Sequence, residues 1–130
     1  MGARQSTGPS VTHEFRLPLP PTVNELYRSY RGRSIKSKKY RDWLEVARPL
    51  VIAQCGNLEP SGEPAAVRIE LYVFHLRDVD SSDKPLLDVL QGIIYRNDRQ
   101  IVDLRVTRHK VANRAAVGVR MTVTFSTEQP

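Results

Sequence analysis

Cysteine is nearly absent from this chain: Cys55 stands alone among 130 residues. A lone cysteine forms no internal disulfide, and no Cys or His cluster surrounds it, so a disulfide scaffold and a structural zinc site are not expected and Cys55 reads as packing. No apolar run approaches the ~20 residues that cross a bilayer, and the first residues lack the apolar stretch of an export signal. The expectation is a cytoplasmic protein with no membrane partner. Met1-Gly2-Ala3-Arg4-Gln5-Ser6 fits the loose myristoylation pattern, which is short enough to arise by accident. Repeats and low-complexity tracts are missing too. What is present is ordinary in amount: 40% apolar and 26% charged residues, in one domain-sized chain. Such a chain buries a single core, and any chemistry must sit on that core.

Acid is in short supply. Twenty Lys and Arg against 14 Asp and Glu leave a formal charge of +6 and a pI near 9.8, which points to a polyanionic partner, a nucleic acid or an anionic membrane surface. The excess is concentrated between Tyr27 and Arg41. There Arg28, Arg31, Arg33, Lys36, Lys38, Lys39 and Arg41 occur without one acidic residue, interleaved with Tyr27, Tyr30 and Tyr40. Seven cations in fifteen residues would neutralise backbone phosphates and release counterions, while a tyrosine stacks on an exposed base. Like-charge repulsion predicts a mobile arm over residues 27–41. By composition alone, a solvated basic loop with its rings packed on the core fits equally well.

Hydrophobic period gives the rest of the organisation. Residues 1–10 and 126–130 read as flexible tails around a domain spanning 11–125. Val11, His13, Phe15 and Leu17 alternate with polar residues as a strand that Pro18, Pro20 and Pro21 end. Apolar positions at spacings of three and four predict a helix from Ser37, its N-cap, to Gln54, with Gly56 as its stop and a kink or early end near Arg48 ahead of Pro49. Asn57 to Pro64 reads as a loop, and Val67 to Val73 as a strand. Asp83 to Gln91 makes a short helix, with Pro85 tolerated in its first turn and Gly92 closing it. Ile93–Tyr95, Ile101–Arg108 and Ala115–Phe125 read as strands. The fold class is α/β in the broad sense, an α+β mixed sheet with helices packed on one face. Trp43 belongs to the core, and His13, His75 and His109 read as structural.

The chemistry is written in Asp78-Val79-Asp80-Ser81-Ser82-Asp83-Lys84-Pro85-Leu86-Leu87-Asp88 and, ten residues on, Asn97-Asp98-Arg99-Gln100. In extended chain, residues two apart share a face, so Asp78 and Asp80 set two carboxylates side by side, and a hairpin would bring Asp98 to them. Three carboxylates together repel unless a hard cation neutralises them. An all-oxygen set suits Mg²⁺, or Mn²⁺ in its place, better than zinc. Metal-assisted phosphodiester cleavage is what such a set can perform, with Lys84 offsetting charge on the scissile phosphate. The other reading is that these aspartates serve turns and helix caps, with Asp88 on the wet face of its helix. The basic stretch weighs for the first, because one part would hold the polyanion and the other would cut it.

The sequence also resembles the RusA family of Holliday-junction resolvases. Leu17-Pro18-Leu19-Pro20-Pro21-Thr22-Val23-Asn24 followed by Tyr27-Arg28 is similar to the family's opening, and Asp78 to Asp103 to its active-site core. The resemblance implies that Asp78, Asp80 and Asp98 are catalytic metal ligands, that Lys84 is the catalytic lysine and that the fold is a mixed α/β homodimer. It further implies paired, symmetric nicking of four-way DNA junctions in recombination and repair, in the nucleoid. Arg28, Arg31, Arg33, Lys36, Lys38, Lys39, Arg41 and Arg99, with Arg105 and Arg108, would grip backbone. Two positions depart from the family pattern: Ser81 where Asn is common after the D-x-D, and Asn97 where a second acid is common. The rival functions are a junction-binding module that does not cut and a nuclease for flaps or replication forks.

Overall fold

A computed structural model describes residues 10–22, 25–56, 59–75 and 83–126. Alternating apolar residues form strand β1 (Ser10–Leu17), and two short strands, β2 (Tyr27–Tyr30) and β3 (Arg33–Lys36), pair as an antiparallel hairpin. Helix α1 (Lys38–Cys55) begins where the spacing predicts, with the Ser37 hydroxyl accepting the Tyr40 N–H, and stops at Gly56, whose φ of 86° suits glycine. Strand β4 (Ala65–Val73), helix α2 (Asp83–Leu90), strand β5 (Ile101–Lys110) and strand β6 (Gly118–Ser126) complete the order.

Four strands form one sheet in the order β1-β6-β4-β5. Only β4 and β5 run parallel, so the sheet is mixed, and the crossover between them carries α2. Register sets Phe15 beside Met121 and Met121 beside Ile69. One face of the sheet therefore carries Phe15, Leu17, Val67, Ile69, Leu71, Val119, Met121 and Val123, all buried. Tyr40, Trp43, Ala47 and Val51 of α1 and Leu86, Val89 and Leu90 of α2 join the same cluster, so the helices cover that face. The Trp43 indole N–H donates to the Pro18 carbonyl at 3.1 Å, which fixes it in the core as expected.

The opposite face is polar and uncovered. Glu70, only 8% exposed, accepts the Arg120 guanidinium at 2.9 Å, and Arg120 also meets Glu14 at 3.1 Å. His109 stacks on Tyr72 with ring centroids 4.8 Å apart, and His13 stands edge-on to Phe125.

Four sequence expectations give way here. Helix α1 does not end near Arg48; Pro49 lies inside it and the helix runs on to Cys55. Burial of Leu44 and Val51 against the core, roughly 1.5–3 kcal/mol each, matches the roughly 3 kcal/mol that an interior proline costs. Ile93–Tyr95 is a turn rather than a strand: Gly92, at φ 88°, donates its N–H to the Tyr95 carbonyl at 2.7 Å. Ser61 pairs with the Ile94 carbonyl and the Arg96 N–H. A three-residue apolar run signals burial, which Ile94 and Tyr95 achieve without extended pairing. Strand β6 starts at Gly118, not Ala115, because Arg114–Ala116 is a 3₁₀ turn capped by Asn113. The basic stretch from Tyr27 is a β-hairpin running into the first turn of α1, a regular structure its composition did not suggest.

Candidate functional site

The hairpin turns at Arg31 and Gly32, both left-handed with φ of 51° and 76°, the two-residue geometry that matches strand twist. At its tip Tyr30 is 49% exposed, with the Arg28 and Arg31 guanidiniums 5.5 and 5.3 Å from its ring centroid. Its base is pinned to α1. Leu26 is buried, its carbonyl accepts the Ser37 N–H at 2.8 Å, and Glu25 holds the Lys39 ammonium together with the Thr22 N–H and hydroxyl. That ammonium keeps the Glu25 carboxyl below the usual carboxylate range. Lys38 pairs with Asp42 at 2.7 Å. Arg28, Arg31 and Arg33 have no acidic partner among the described residues.

Helix α2 presents Lys84 and Asp88, with Gln91 just past its end, at spacings of four and three that share one helical face. The Lys84 ammonium lies 3.3 Å from Asp88 Oδ2, and the Tyr40 hydroxyl donates to the same oxygen at 2.9 Å. Asp88 therefore does not sit free on a wet face; α1 closes over it because Tyr40 is a core residue with its ring fully buried. The same burial, with Asp88 beside it, pushes the Tyr40 hydroxyl well up, so it stays protonated and donates. It also removes Tyr40 from the rings open to an exposed base. The charge of Asp88, joined by the Tyr27 hydroxyl, raises the Lys84 ammonium above its ordinary range against a smaller opposing effect of burial.

Asp98 opens a 3₁₀ turn, Asp98–Gln100, capped by the Asn97 side chain, which accepts the Arg99 N–H at 2.9 Å. The Asp98 N–H donates to Gln91 Oε1 at 3.2 Å. Buried Tyr95 donates its hydroxyl to the Leu87 carbonyl at 2.6 Å, and it is pushed up by burial and then by the charges of Asp98 and Asp88, so one phenol feels both carboxylates. Helix α2 and the Gly92 turn bring Asp98 to this side, not the hairpin expected from sequence. The reason is that β4 and β5 are parallel and need a crossover. Asp78 and Asp80, with Ser81, lie outside the described residues. Among the described residues, no three His, Cys, Asp or Glu side chains are grouped to hold a metal.

Beside Asp88 opens a cleft of about 280 Å³ lined by Lys36, Tyr40, Leu44, Arg48, Asp88 and Gln91. A neighbouring hollow adds Arg41. Arg48 escaped the sequence reading because it lies beyond the basic run; its place seven residues after Arg41, two helical turns on, was the available signal. A larger hollow of about 400 Å³, between Arg16, Tyr72 and Arg120, opens at the polar sheet face.

The profile of the family described as Endodeoxyribonuclease RusA matches residues 18–123, which take in the hairpin, both helices and the Asp98 turn. This chain belongs to the RusA family. It is similar to the crossover junction endodeoxyribonuclease RusA of Enterobacteria phage 82, at 34% identity over 108 residues. Identity is 35% over 107 residues with the protein of that name from Escherichia coli K12, and 31% over 106 residues with that from Shigella sonnei. Each match covers 77% of this chain and 85% of the relative. The small α+β domain with a mixed sheet and two helices agrees with the fold that the resemblance to RusA implied. Asn97, where the family often carries an acid, has a local task in this member: its side chain and that of Gln100 cap the 3₁₀ turn reciprocally.

Proposed function

We propose that this chain is a Mg²⁺-dependent, structure-selective endodeoxyribonuclease that resolves four-way DNA junctions by paired, symmetric nicks. The observation that carries the reading is a lysine held charged on α2, on the side to which Asp98 is brought, below a hairpin whose arginines lack internal partners. The hairpin and Arg99 grip backbone phosphates, and the cleft cations Lys36, Arg41 and Arg48 continue that path toward Asp88. Tyr30, rigid at the tip, is the ring offered to a base unstacked at the branch.

Asp78, Asp80 and Asp98 would hold the ion. Asp98 fits that part, since its backbone is fixed by Gln91 while its carboxylate is left without a cationic partner among the described residues. Bound there, Mg²⁺ or Mn²⁺ supplies Lewis acidity for activating water and for the departing oxygen. Lys84 stabilises the negative charge that builds on the phosphate oxygens in the transition state. The test is a synthetic four-way junction with and without Mg²⁺. Wild type is expected to nick opposing strands only with the ion, and Asp80→Asn to bind the junction and leave it uncut. Binding without metal-dependent nicking by wild type would instead identify a non-cutting module, and faster cutting of flapped or three-way substrates would reassign the substrate.

The same proposal includes a homodimer, acting on two strands from two sites. Strand β5 is its support. The outer edge of β5 has no strand partner among the described residues, and Val102, Leu104 and Val106 are 74%, 40% and 44% exposed. Antiparallel self-pairing about Leu104 would set Val102 against Val106 and Asp103 against Arg105, apolar on apolar and acid on base. Leu104→Lys is expected to yield a monomer in sedimentation equilibrium; an unchanged dimer would move the interface elsewhere.

A further inference from the structure

We infer that Asp88 is the positioning residue for Lys84, and that the Tyr40 hydroxyl ties this pair to α1 and the base of the basic hairpin. The inference rests on the nuclease reading and deepens it. A lysine side chain has four rotatable bonds and a solvated head, so charge alone leaves its ammonium spread over many positions. Two features narrow that spread here. Asp88 lies one helical turn from Lys84, at the spacing where carboxylate and ammonium meet. The Asp88 carboxylate is not itself free to swing, because the Tyr40 hydroxyl donates to the same Oδ2 from a fully buried ring. Tyr40 in turn carries the edge of Tyr27, with ring centroids 6.0 Å apart, and Tyr27 is the first residue of β2. A chain of contacts thus runs from the strand that grips substrate to the lysine that meets the scissile phosphate.

Lys36 and Arg48 line the cleft on the other side of Asp88. They are the remaining cations close to it, and phosphates entering the cleft would engage them and leave Lys84 to Asp88. A carboxylate that only capped or solubilised α2 would need neither a buried donor nor a lysine one turn away.

The experiment measures junction binding without metal and single-turnover cleavage with Mg²⁺, using full-length protein. Asp88→Asn is expected to lower the cleavage rate about tenfold while the junction Kd stays within about twofold, a split that a general loss of structure would not produce. In a Lys84→Ala background, followed over long incubations with enzyme in excess, the same substitution is expected to change the rate by less than about twofold, since the residue it positions is gone. Tyr40→Phe removes one donor, leaves Lys84 and Asp88 in place, and is expected to slow cleavage about threefold. Thermal melts confirm that each variant folds. Equal losses from Asp88→Asn in both backgrounds, or wild-type rates in both Asp88→Asn and Tyr40→Phe, would overturn the inference while the nuclease reading stands. Failure of wild type to nick the junction would overturn both.

Discussion

Glu70, on the open face of the sheet, is 8% exposed and meets Arg120 at 2.9 Å, with Glu14 on the other side of that guanidinium. Arg28, Arg31 and Arg33, on the hairpin, meet no acid among the described residues and lean on Tyr30 or stand in solvent. In the first region a charge that has left water is answered within the fold, because an unanswered one would cost several kcal/mol. In the second the cations stay hydrated, cost the fold little, and remain available to a polyanion. Pairing thus separates the charges that stabilise this domain from those that recognise its partner, although both belong to the same basic composition.

The sharpest way to break the comparison is to reverse the hairpin. Arg28→Glu with Arg33→Glu is expected to weaken junction binding about 100-fold and to flatten the salt dependence of log K by about two. The melting temperature should hold, with fluorescence anisotropy across a salt series as the measurement. Glu70→Gln should do the opposite: a loss of about 1–2 kcal/mol in urea unfolding, with junction affinity unchanged. If Tyr30 stacks on an unpaired base, Tyr30→Ala should cost about 1 kcal/mol, near fivefold, on a four-way junction and nothing on intact duplex.

The smallest effect belongs to Glu25. Its carboxyl lies below the ordinary value, Lys39 being the main cause, so its contribution is present at neutral pH and fades as pH falls through the depressed value. Glu25→Gln should change neutral stability by no more than about 0.5 kcal/mol, since Lys39 is well exposed. It should also flatten the acid limb of melts recorded between about pH 3 and pH 6.

The core was largely legible because alternation in β1, β4 and β6 and the three-and-four spacing of α1 are local patterns whose only stable outcome is burial of one face. Ser37 and Gly56 marked the ends of α1 for the same reason, since capping needs only neighbours. Pro49 misled, because its cost is local and the packing that outweighs it is not. Ile93–Tyr95 misled in the other direction: buried apolar residues need not be extended when Ser61 supplies the backbone partners. Lys84 and Asp98 were identified by residue type and company, but the part played by Asp88 was hidden. Its spacing to Lys84 was visible in the chain; its bond to Tyr40 joins residues 48 apart.

Sequence by itself settled the acid-poor basic stretch, the strand and helix periods, and the residue types available for chemistry, since each depends on chain order and side-chain chemistry alone. Tertiary structure decided which charges are answered and which are left open, that Asp98 arrives by a helical crossover, and that a buried tyrosine holds the carboxylate beside Lys84. Those outcomes depend on contacts between residues far apart in the chain, and such contacts exist only once the sheet and helices have packed.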